Sequence, residues 1–269
     1  MMTDIQIGVV GCAGRMGISL LRQITATDSC AIAGGSERPG HDAVGQDLGD
    51  LAGLGHLNMA VEADPRAMFE RATVVLDFTA PAATVAHAAL AMETGTNLVI
   101  GTTGMTAADD EVIRQAAEKI AVMREGNMSL GVNVLAQLTK RLASALDDDF
   151  DIEIVEMHHR YKVDAPSGTA YLLGRAAAAG RQVDHDAVAT GGRHGITGER
   201  RRGDIGYAAL RGGNVAGEHT VIFAADDERV ELTHKAADRA VFARGGVRAA
   251  RWLADKKTGL YGMADVLGL

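Results

Sequence analysis

The stretch Ile5-Gln-Ile-Gly-Val-Val-Gly-Cys-Ala-Gly-Arg-Met-Gly17 decides the fold of the first half of this chain. Its apolar beginning, residues 5–10, predicts a buried strand, and residues 15–26 have the apolar spacing of a helix. Glycines separate the two, in the context that a dinucleotide-binding turn requires. The spacing is GxxGxxG, because Ala13 takes the position of the usual second glycine. Such a turn can also serve helix packing alone, and that alternative stays open here.

Two further features favour nucleotide binding by this turn. Backbone N–H groups at the start of the helix can meet a pyrophosphate, and Arg15 can add charge to that contact. Glu37 follows a second apolar segment about 20 residues later, where an acid that binds a ribose belongs. Arg38 beside it could take a 2′-phosphate, so the pair predicts tolerance of both NADH and NADPH. The alternative for Glu37 and Arg38 is an exposed ion pair on a loop.

Short apolar segments alternate with helix-length segments through the first half of the chain. The apolar segments are residues 5–10, 30–34, 73–78, 97–100 and 120–123, and the predicted helices are 15–26, 81–94 and 106–119. Strands that alternate with helices predict a parallel sheet covered on both faces. The expected fold class is therefore α/β, with a Rossmann-type doubly wound parallel sheet.

The pattern changes near Ser129 and predicts a second, α+β domain with a mixed or antiparallel sheet. The predicted elements are helices at 130–146 and 167–179, a strand at 151–157, and antiparallel strands at 205–211, 219–225 and 229–233 with turns at Gly212-Gly213 and Asp226-Asp227. Residues 237–269 again have helical spacing, and we expect them to return to the first domain. The predicted domains are thus 1–128 with 237–269, and 129–236, with a cleft where the chain crosses between them.

Composition excludes several classes of function. The chain has 269 residues, a net charge of −8 and only 4% aromatic residues, which argues against a nucleic-acid partner. Cys12 and Cys30 form neither a disulfide framework nor a CxxC motif, as in a reduced compartment. The N-terminal Met-Met-Thr-Asp has no secretory-signal pattern, and no apolar run is long enough to span a bilayer. We therefore expect a cytoplasmic protein with no membrane partner.

Residues 156–170 hold the densest group of reactive side chains, Glu-Met-His-His-Arg-Tyr-Lys-Val-Asp-Ala-Pro-Ser-Gly-Thr-Ala. His158, His159 and Lys162 fall within five residues of one another. A histidine titrates near neutral pH, and a lysine in a cleft supplies both a proton and fixed positive charge. These residue types predict acid–base chemistry on an anionic substrate, whereas solvation at the surface is the alternative for each of them singly.

A helix start follows this cluster. Ser167 can cap the helix, and the backbone N–H groups of Gly168 and Thr169 then have no partner within it. Together with Lys162 these donors predict a pocket for a carboxylate.

A metal site is the rival interpretation of the two adjacent histidines. Neighbouring residues on a strand point to opposite faces, so His158 and His159 cannot easily share one ion. The chain has no HExxH motif and no clustered cysteines. We therefore expect no metal.

These motifs together resemble a known family. Over nearly its whole length the chain is similar to 4-hydroxy-tetrahydrodipicolinate reductase (dihydrodipicolinate reductase) of the diaminopimelate–lysine pathway. The motifs that carry the resemblance are Gly11-x-x-Gly-Arg-Met-Gly17, Asp77-Phe-Thr79, Gly101-Thr-Thr-Gly104, Asn127-Met-Ser129-x-Gly-Val-Asn133, Glu156-x-His-His-Arg-x-Lys-Val-Asp-Ala-Pro-Ser-Gly-Thr169, Gly191-Gly-Arg-x-Gly, Thr197-Gly-Glu-Arg200, Gly217-Glu-His219 and Thr233-His-Lys235. The segment that contains the two histidines is highly specific, and the glycine turn alone is not.

The resemblance implies a nucleotide-binding domain, a domain for substrate binding and oligomerisation, and assembly as a homotetramer. It also implies reduction of 4-hydroxy-tetrahydrodipicolinate, a cyclic dicarboxylate, to tetrahydrodipicolinate, with NADH or NADPH as hydride donor. Carried over by position, His158 would be the acid–base residue and Lys162 a proton donor. His159, Gly168 and Thr169 would bind the substrate carboxylates. The implied cofactor-binding residues are Gly11, Cys12, Ala13, Gly14, Arg15, Met16, Glu37, Arg38, Gly101, Thr102, Thr103, Glu125, Gly126, Asn127 and Met128.

Three positions depart from the family's pattern. Ala80 stands where many relatives have Arg, Glu125-Gly126 replaces a small apolar pair, and Met128 occupies a position often held by an aromatic residue. None of them is a predicted proton donor. They bear on the preference between NADH and NADPH, and not on the predicted reaction.

Two other functions are compatible with a glycine-rich nucleotide turn. A different Rossmann reductase, such as an amino-acid or semialdehyde dehydrogenase, has no need for the His-His-Arg-x-Lys segment followed by Ser-Gly-Thr. A non-catalytic protein that senses NAD(H) would be expected to lack His158 or Lys162, and this chain has both.

Overall fold

The computed structural model describes residues 4–269, which form two compact units. The first unit contains the residues up to Ser129 together with Ala240–Gly268, and the second contains Leu130–Arg239 and Leu269. The prediction that the N-terminus is not a secretory signal falls in part on the first three residues, which lie outside the described residues. Within residues 4–269, no helix is both long enough and apolar enough to cross a membrane.

The described residues contain strands and helices in the following order. The strands are β1 (Ile5–Val10), β2 (Cys30–Ser36), β3 (Val74–Asp77), β4 (Asn97–Ile100), β5 (Ala121–Arg124), β6 (Asp151–His158), β7 (Ala189–Gly191), β8 (Ile205–Arg211), β9 (Gly217–Ala224), β10 (Arg229–Ala236) and β11 (Gly259–Tyr261). The helices are α1 (Arg15–Thr25), α2 (Leu48–Ala52), α3 (Arg66–Arg71), α4 (Pro81–Thr94), α5 (Ala107–Ala117), α6 (Leu130–Ala145), α7 (Gly168–Gly180), α8 (His185–Val188), α9 (Ala240–Leu253) and α10 (Met263–Leu267).

The first unit is built on a six-stranded sheet in the order β2-β1-β3-β4-β5-β11. All of its strand pairs are parallel, which confirms the predicted α/β fold class and parallel sheet. The chain leaves β1 first toward β2 and then returns to its other side as β3. In an open α/β sheet this reversal of strand order opens a crevice at the carboxyl ends of the two strands that flank it, here β1 and β3. The glycine turn follows β1 directly and therefore lies at that crevice.

Helices cover both faces of this sheet, as the alternating pattern predicts. Helices α1 and α9 pack together on one face, and α3, α4 and α5 form a row on the other. The core under that row contains Phe69, Val75, Leu98, Ile113 and Val122, all buried. The strands are apolar on both faces because both faces are covered.

The second unit is built on a five-stranded mixed sheet in the order β10-β9-β6-β8-β7. Strand β6 lies at its centre, parallel to β8 and antiparallel to β9. Its burial alternates, with Ile152, Ile154, Glu156 and His158 on the buried side. Helices α6 and α7 pack together, and the core of the unit contains Leu173 of α7. The mixed sheet predicted for the second part of the chain is therefore confirmed.

One detail of the predicted second sheet is wrong. The turn at Gly212-Gly213 was expected to join two antiparallel neighbours, residues 205–211 and 219–225. Instead β6 lies between them, so that Ile154 is paired with Tyr207 on one side and with Val221 on the other. A central strand that buries one face needs a partner on each edge, and local turn residues do not reveal this. The turn at Asp226-Asp227 does join β9 and β10 as an antiparallel hairpin.

Candidate active site

The glycine turn has the geometry of a tight passage from strand to helix. Gly11 has φ +64°, a left-handed conformation that favours glycine. A Cβ atom at Gly11 would lie 2.8 Å from Cγ2 of Thr79, which follows the neighbouring strand β3. A Cβ atom at Gly17 would collide with the carbonyl oxygen of Gly11 and the backbone of Cys12. Gly17 is therefore required by the close approach of α1 to the end of β1, and Gly11 is required by its own backbone conformation and by the nearby Thr79.

Glu37 meets this turn, in the position predicted for a ribose-binding acid. It follows β2, and its Oε1 accepts a hydrogen bond from the backbone N–H of Ala13 at 3.0 Å. Arg38 beside it is exposed. Burial, reinforced by the charge of Glu37, raises the pKa of the Cys12 thiol to about 12. The thiol in the turn is therefore neutral and unreactive.

A buried carboxylate organises the end of β3. Oδ1 of Asp77 accepts hydrogen bonds from the backbone N–H of Thr79 at 3.0 Å and from its hydroxyl at 2.6 Å, and Oδ2 lies 2.8 Å from Nδ1 of His87. Burial works to raise the pKa of Asp77, but the bonds from His87 and Thr79 outweigh it and hold the pKa below its usual value. The hydroxyl of Thr102, a predicted cofactor-binding residue, donates a hydrogen bond to the same carboxylate at 3.3 Å. Its side chain therefore supports the loop, while its neighbour Thr103 is exposed.

The loop after β5 lies beside the end of β4, because the N–H of Glu125 donates to the carbonyl of Ile100 at 3.1 Å. The Glu125 carboxylate accepts hydrogen bonds from Gly126 N–H at 3.1 Å and from Met263 N–H, at the start of α10, at 3.4 Å. Burial raises the pKa of Glu125. The unusual acid in this loop thus has a structural partner. Met128 is buried, and a Cβ atom at Gly245 of α9 would collide with its carbonyl oxygen.

The end of β6 carries His158 on the buried side of the second sheet. Its Nδ1 lies 2.7 Å from Oε2 of Glu156, two residues earlier on the same face. Glu156 is 1% exposed and also accepts hydrogen bonds from both terminal nitrogens of Arg211, at 2.8 and 2.9 Å. A fourth hydrogen bond reaches it from the backbone N–H of Ser167 at 3.1 Å. One carboxylate therefore connects β6, β8 and the start of α7.

His159 diverges from His158, as expected for adjacent residues at a strand end. Its backbone N–H donates to the carbonyl of Val215 at 2.8 Å, and its Nε2 lies 3.1 Å from Nη2 of Arg239. Because a guanidinium can only donate, Nε2 of His159 is the acceptor in this bond. Desolvation, followed by the positive charge of Arg239, lowers the pKa of His159.

Lys162 lies in the loop after β6 and forms an ion pair within that loop. Its Nζ donates to both carboxylate oxygens of Asp164, at 2.8 and 2.9 Å. The hydrogen bond from Lys162 lowers the pKa of Asp164. The side chain of Lys162 is 20% exposed, and that of Asp164 is 57% exposed.

Ser167 caps the start of α7, as predicted. Ser167 Oγ accepts the N–H of Ala170 at 3.1 Å and lies 3.1 Å from Nε2 of His219. Gly168 is the first helical residue, and a Cβ atom there would have no heavy atom within 4 Å. Packing therefore does not explain the glycine at this position.

His219 completes the buried group. Its ring lies edge-to-face against that of His158, with centroids 5.1 Å apart. Burial, followed by the charge of His158, lowers the pKa of His219 to about 4. His219 is therefore neutral near pH 7.

Sequence reasoning missed four side chains of this group: Glu156, Arg211, His219 and Arg239. A period of two along the strand could have placed Glu156 beside His158. The other three come from segments that are distant in the sequence. Arg211 and His219 reach the group through the register of the sheet, and Arg239 follows the end of β10.

Comparisons with known proteins identify the family of this chain. Family models described as dihydrodipicolinate reductase, N-terminus and C-terminus, match residues 5–128 and 131–267. The chain is 54% identical over 268 residues to the 4-hydroxy-tetrahydrodipicolinate reductase of Afipia carboxidovorans, covering 100% of this chain and 98% of the relative. It is 55% identical to the enzyme of the same name from Rhodopseudomonas palustris (strain BisB18), covering 100% and 99%.

A solved structure shows the same fold. Dipicolinate-bound dihydrodipicolinate reductase from Paenisporosarcina sp. TG-14 has a TM-score of 0.77 and 23% sequence identity, over 98% of this chain and 99% of that one. The resemblance carried by the motifs is therefore confirmed over the full length. The chain belongs to the dihydrodipicolinate reductase family of pyridine-nucleotide oxidoreductases.

Proposed function

We propose that this chain reduces 4-hydroxy-tetrahydrodipicolinate to tetrahydrodipicolinate, with NADH or NADPH as hydride donor and with His158 and Lys162 handling protons. The observation that carries the proposal is the joining of His158 to the start of α7 by one buried carboxylate, Glu156. An acid–base imidazole and a helix start suited to a carboxylate are thereby placed side by side. This is the arrangement that a reductase of a cyclic dicarboxylate needs.

The substrate carboxylates are assigned to the start of α7. This helix has 13 residues, and the positive end of its dipole, with backbone N–H groups directed out of its start, favours an anion. Gly168 keeps that end clear of side-chain atoms, and Arg239, which is hydrogen-bonded to His159, adds positive charge in the same unit. The relative from Paenisporosarcina sp. TG-14 was solved with dipicolinate, a planar dicarboxylate of the class that such a site suits.

The nucleotide is assigned to the crevice at the ends of β1 and β3. The residues from Gly11 to Met16 would hold the pyrophosphate at the start of α1. Glu37, already in contact with the turn, would bind the ribose, and the exposed Arg38 would meet a 2′-phosphate. NADH or NADPH supplies the hydride. Acceptance of both nucleotides follows from having an acid and a base at adjacent positions.

The protons are assigned to the second unit. Nδ1 of His158 faces Glu156, so Nε2 is the nitrogen left for exchange with the substrate. Lys162 would supply the second cationic group and a proton, either after its ion pair with Asp164 breaks or while it contacts both Asp164 and the substrate. A positioned general acid contributes about 10²–10⁴-fold to a rate.

A coupled assay tests the proposal. Freshly generated 4-hydroxy-tetrahydrodipicolinate is mixed with enzyme and each nucleotide in turn, and nucleotide oxidation is followed by absorbance. We expect turnover with both NADH and NADPH. Nucleotide binding without turnover would support a sensing protein instead, and turnover only on amino-acid or semialdehyde substrates would support a different reductase.

The oligomeric state is proposed as a homotetramer, which rests on the family alone. Light scattering coupled to size-exclusion chromatography should give a mass of roughly four times the 28.1 kDa of one chain. A monomeric mass at assay concentrations would contradict it.

A further inference from the structure

We propose that Glu156 is a positioning residue that fixes which ring nitrogen of His158 exchanges protons, and that Arg211 holds the Glu156 carboxylate in the orientation required. The inference rests on the proposed function, because it concerns the residue to which acid–base chemistry is assigned. Glu156 itself meets neither substrate nor nucleotide in this assignment. Its influence passes through His158 and through the start of α7.

The hydrogen bonds of Glu156 leave its carboxylate one orientation. Oε2 receives His158 Nδ1 and Arg211 Nη1, and Oε1 receives Arg211 Nη2 and the backbone N–H of Ser167. A paired Arg–carboxylate fork fixes the plane of both groups. Rotation of the carboxylate would break bonds in an environment where Glu156 is 1% exposed and water cannot replace them.

The ionisation of Glu156 sets the tautomer of His158. Burial works to raise the pKa of Glu156, but the hydrogen bonds from Arg211 and His158 outweigh it and the pKa lies below its usual value. An ionised carboxylate can only accept hydrogen bonds. Nδ1 of His158 must therefore carry a hydrogen, and Nε2 is the atom whose protonation changes.

The structure keeps room at that nitrogen. A Cβ atom at Gly217, the first residue of β9, would lie 3.0 Å from Nε2 of His158. The neighbouring His219 is neutral near pH 7 because burial lowers its pKa to about 4. Of the two histidines, His158 is therefore the one to which proton exchange with the substrate is assigned.

The same carboxylate also holds the helix start assigned to the substrate. Ser167 caps α7, and its backbone N–H is bound to Oε1 of Glu156. A displaced Glu156 would therefore disturb His158 and Gly168 together. The nucleotide turn lies in the other unit and makes no use of Glu156. Loss of Glu156 should thus affect kcat and the KM for the dicarboxylate, and not the KM for the nucleotide.

Other charged and titratable groups around His158 bear on its pH dependence. They are Glu156 on β6, Arg211 on β8, His219 on β9, His234 on β10, and His159, Lys162 and Asp164 in the segment that follows β6. Glu156 is the one carboxylate in direct contact with the ring among the described residues. Removing its charge disfavours the protonated imidazole.

The decisive comparison is Glu156→Gln against Glu153→Gln. Glu153 lies on the opposite face of the same strand and is paired with Arg193 and Arg200, so its variant loses a similar set of ion pairs away from His158. We expect Glu156→Gln to lower kcat by about 10²-fold and to move the limb of the pH–rate profile governed by His158 to lower pH by about one unit. Glu153→Gln should leave both unchanged. Equal behaviour of the two variants would overturn the proposal, because a purely structural role lowers the active fraction without moving the profile.

A measurement on the unaltered enzyme guards against a variant that fails to fold. Nitrogen-15 spectra of the histidine rings, with His158 identified by the signal lost in His158→Gln, report which nitrogen carries the hydrogen. Above neutral pH we expect hydrogen on Nδ1 and a bare Nε2, and hydrogen on Nε2 would overturn the proposal. Absence of turnover in the wild-type enzyme would instead contradict the proposed function, which separates the two failures.

Discussion

Nζ of Lys162 lies 2.8 Å from Oδ1 of Asp164, so the proposed proton donor is paired with a carboxylate of its own loop. Asp164 is mostly exposed, and a pair of this kind is weak because solvent and salt screen it. The loop can therefore exchange this partner for a substrate carboxylate at little cost. The two members of the pair should have opposite effects when each is removed.

Lys162→Ala should lower kcat by about 10²–10⁴-fold, because a positioned acid and a fixed cation are lost. The KM for NADH should not change. Lys140→Ala removes an exposed lysine of α6 in the same unit and serves as the control. Steady-state kinetics on both variants check the prediction, and near-normal kcat in Lys162→Ala would remove this residue from the mechanism.

Asp164→Asn should act in the other direction on substrate binding. Loss of the competing carboxylate should lower the KM for the dicarboxylate by about two- to fivefold at low ionic strength, and added salt should shrink the difference. Measuring KM at two salt concentrations tests this, and a KM that does not respond to the substitution would speak against exchange of partners.

Gly168→Ala should impair binding without harming the fold. A Cβ atom at this position meets no neighbour within 4 Å, and alanine favours a helix more than glycine does. The methyl group would instead stand where the substrate carboxylate is assigned, and the KM for the dicarboxylate should rise by about tenfold through a weakened charged hydrogen bond.

The matched control is Gly174→Ala, one turn and a half further along α7. There a Cβ atom would collide with the hydroxyl of Tyr207, so this variant should be less stable. Thermal unfolding and kinetics of both variants give the comparison. If Gly168→Ala lost stability and kept its KM, the assignment of the helix start to the substrate would be wrong.

His219 should make the protein less stable in mild acid. Its pKa falls from 6.5 to about 4 on folding, so between these values the unfolded chain binds more protons than the folded one. The contribution of neutral His219 to the free energy of unfolding is fully present above about pH 6.5. It declines as the pH falls toward 4, by about 3 kcal/mol at most. His159 and His234, whose pKa values are also lowered, add to the same slope.

Thermal unfolding of His219→Gln between pH 7 and pH 4.5 checks this prediction. The variant should start from a lower Tm and lose less of it on acidification than the wild type does. His194→Asn, a substitution at an exposed position, should retain the full slope. A slope identical in His219→Gln and the wild type would show that His219 is not the group that titrates.

Arg38→Ala should separate the two nucleotides. If Arg38 meets the 2′-phosphate, its loss should raise the KM for NADPH by about tenfold and leave that for NADH nearly unchanged. NADH serves as the internal control. Equal changes for both nucleotides would place Arg38 elsewhere in the site.

Five of the six strands of the first sheet could be predicted from the sequence because their signals are local, whereas β11 lies in the segment for which helical spacing was predicted. Apolar segments of strand length alternate with segments of helical spacing, and the turn at Gly11 carries its own conformational requirement. For the second sheet, the sequence predicts the type of sheet and most of its strands, but not the order of the strands. The pairing of β6 with both β8 and β9 joins residues 53 to 73 positions apart, and no local pattern indicates which segments become neighbours.

The candidate site divides along the same line. His158, Lys162 and Gly168 stand within one short segment and could be named from residue type and spacing. Arg211 and His219 could not, because sheet register alone brings them to Glu156 and Ser167. Glu125 is an example of a residue whose sequence position does not reveal its contacts. Its position in a predicted cofactor-binding loop suggests a role in the site, but its carboxylate is bonded to the start of α10, 138 residues away.

Strand β11 pairs with β5, and α9 packs against α1, so the sheet that begins at Ile5 receives its last strand from the end of the chain. When synthesis reaches Arg239, all of the residues from Leu130 onward that form the second unit have been made, while the first unit still lacks α9 and its edge strand β11. The half of the protein that is made first is therefore the half that matures last, and truncation by some thirty residues at the C-terminus should damage the fold at its opposite, N-terminal end.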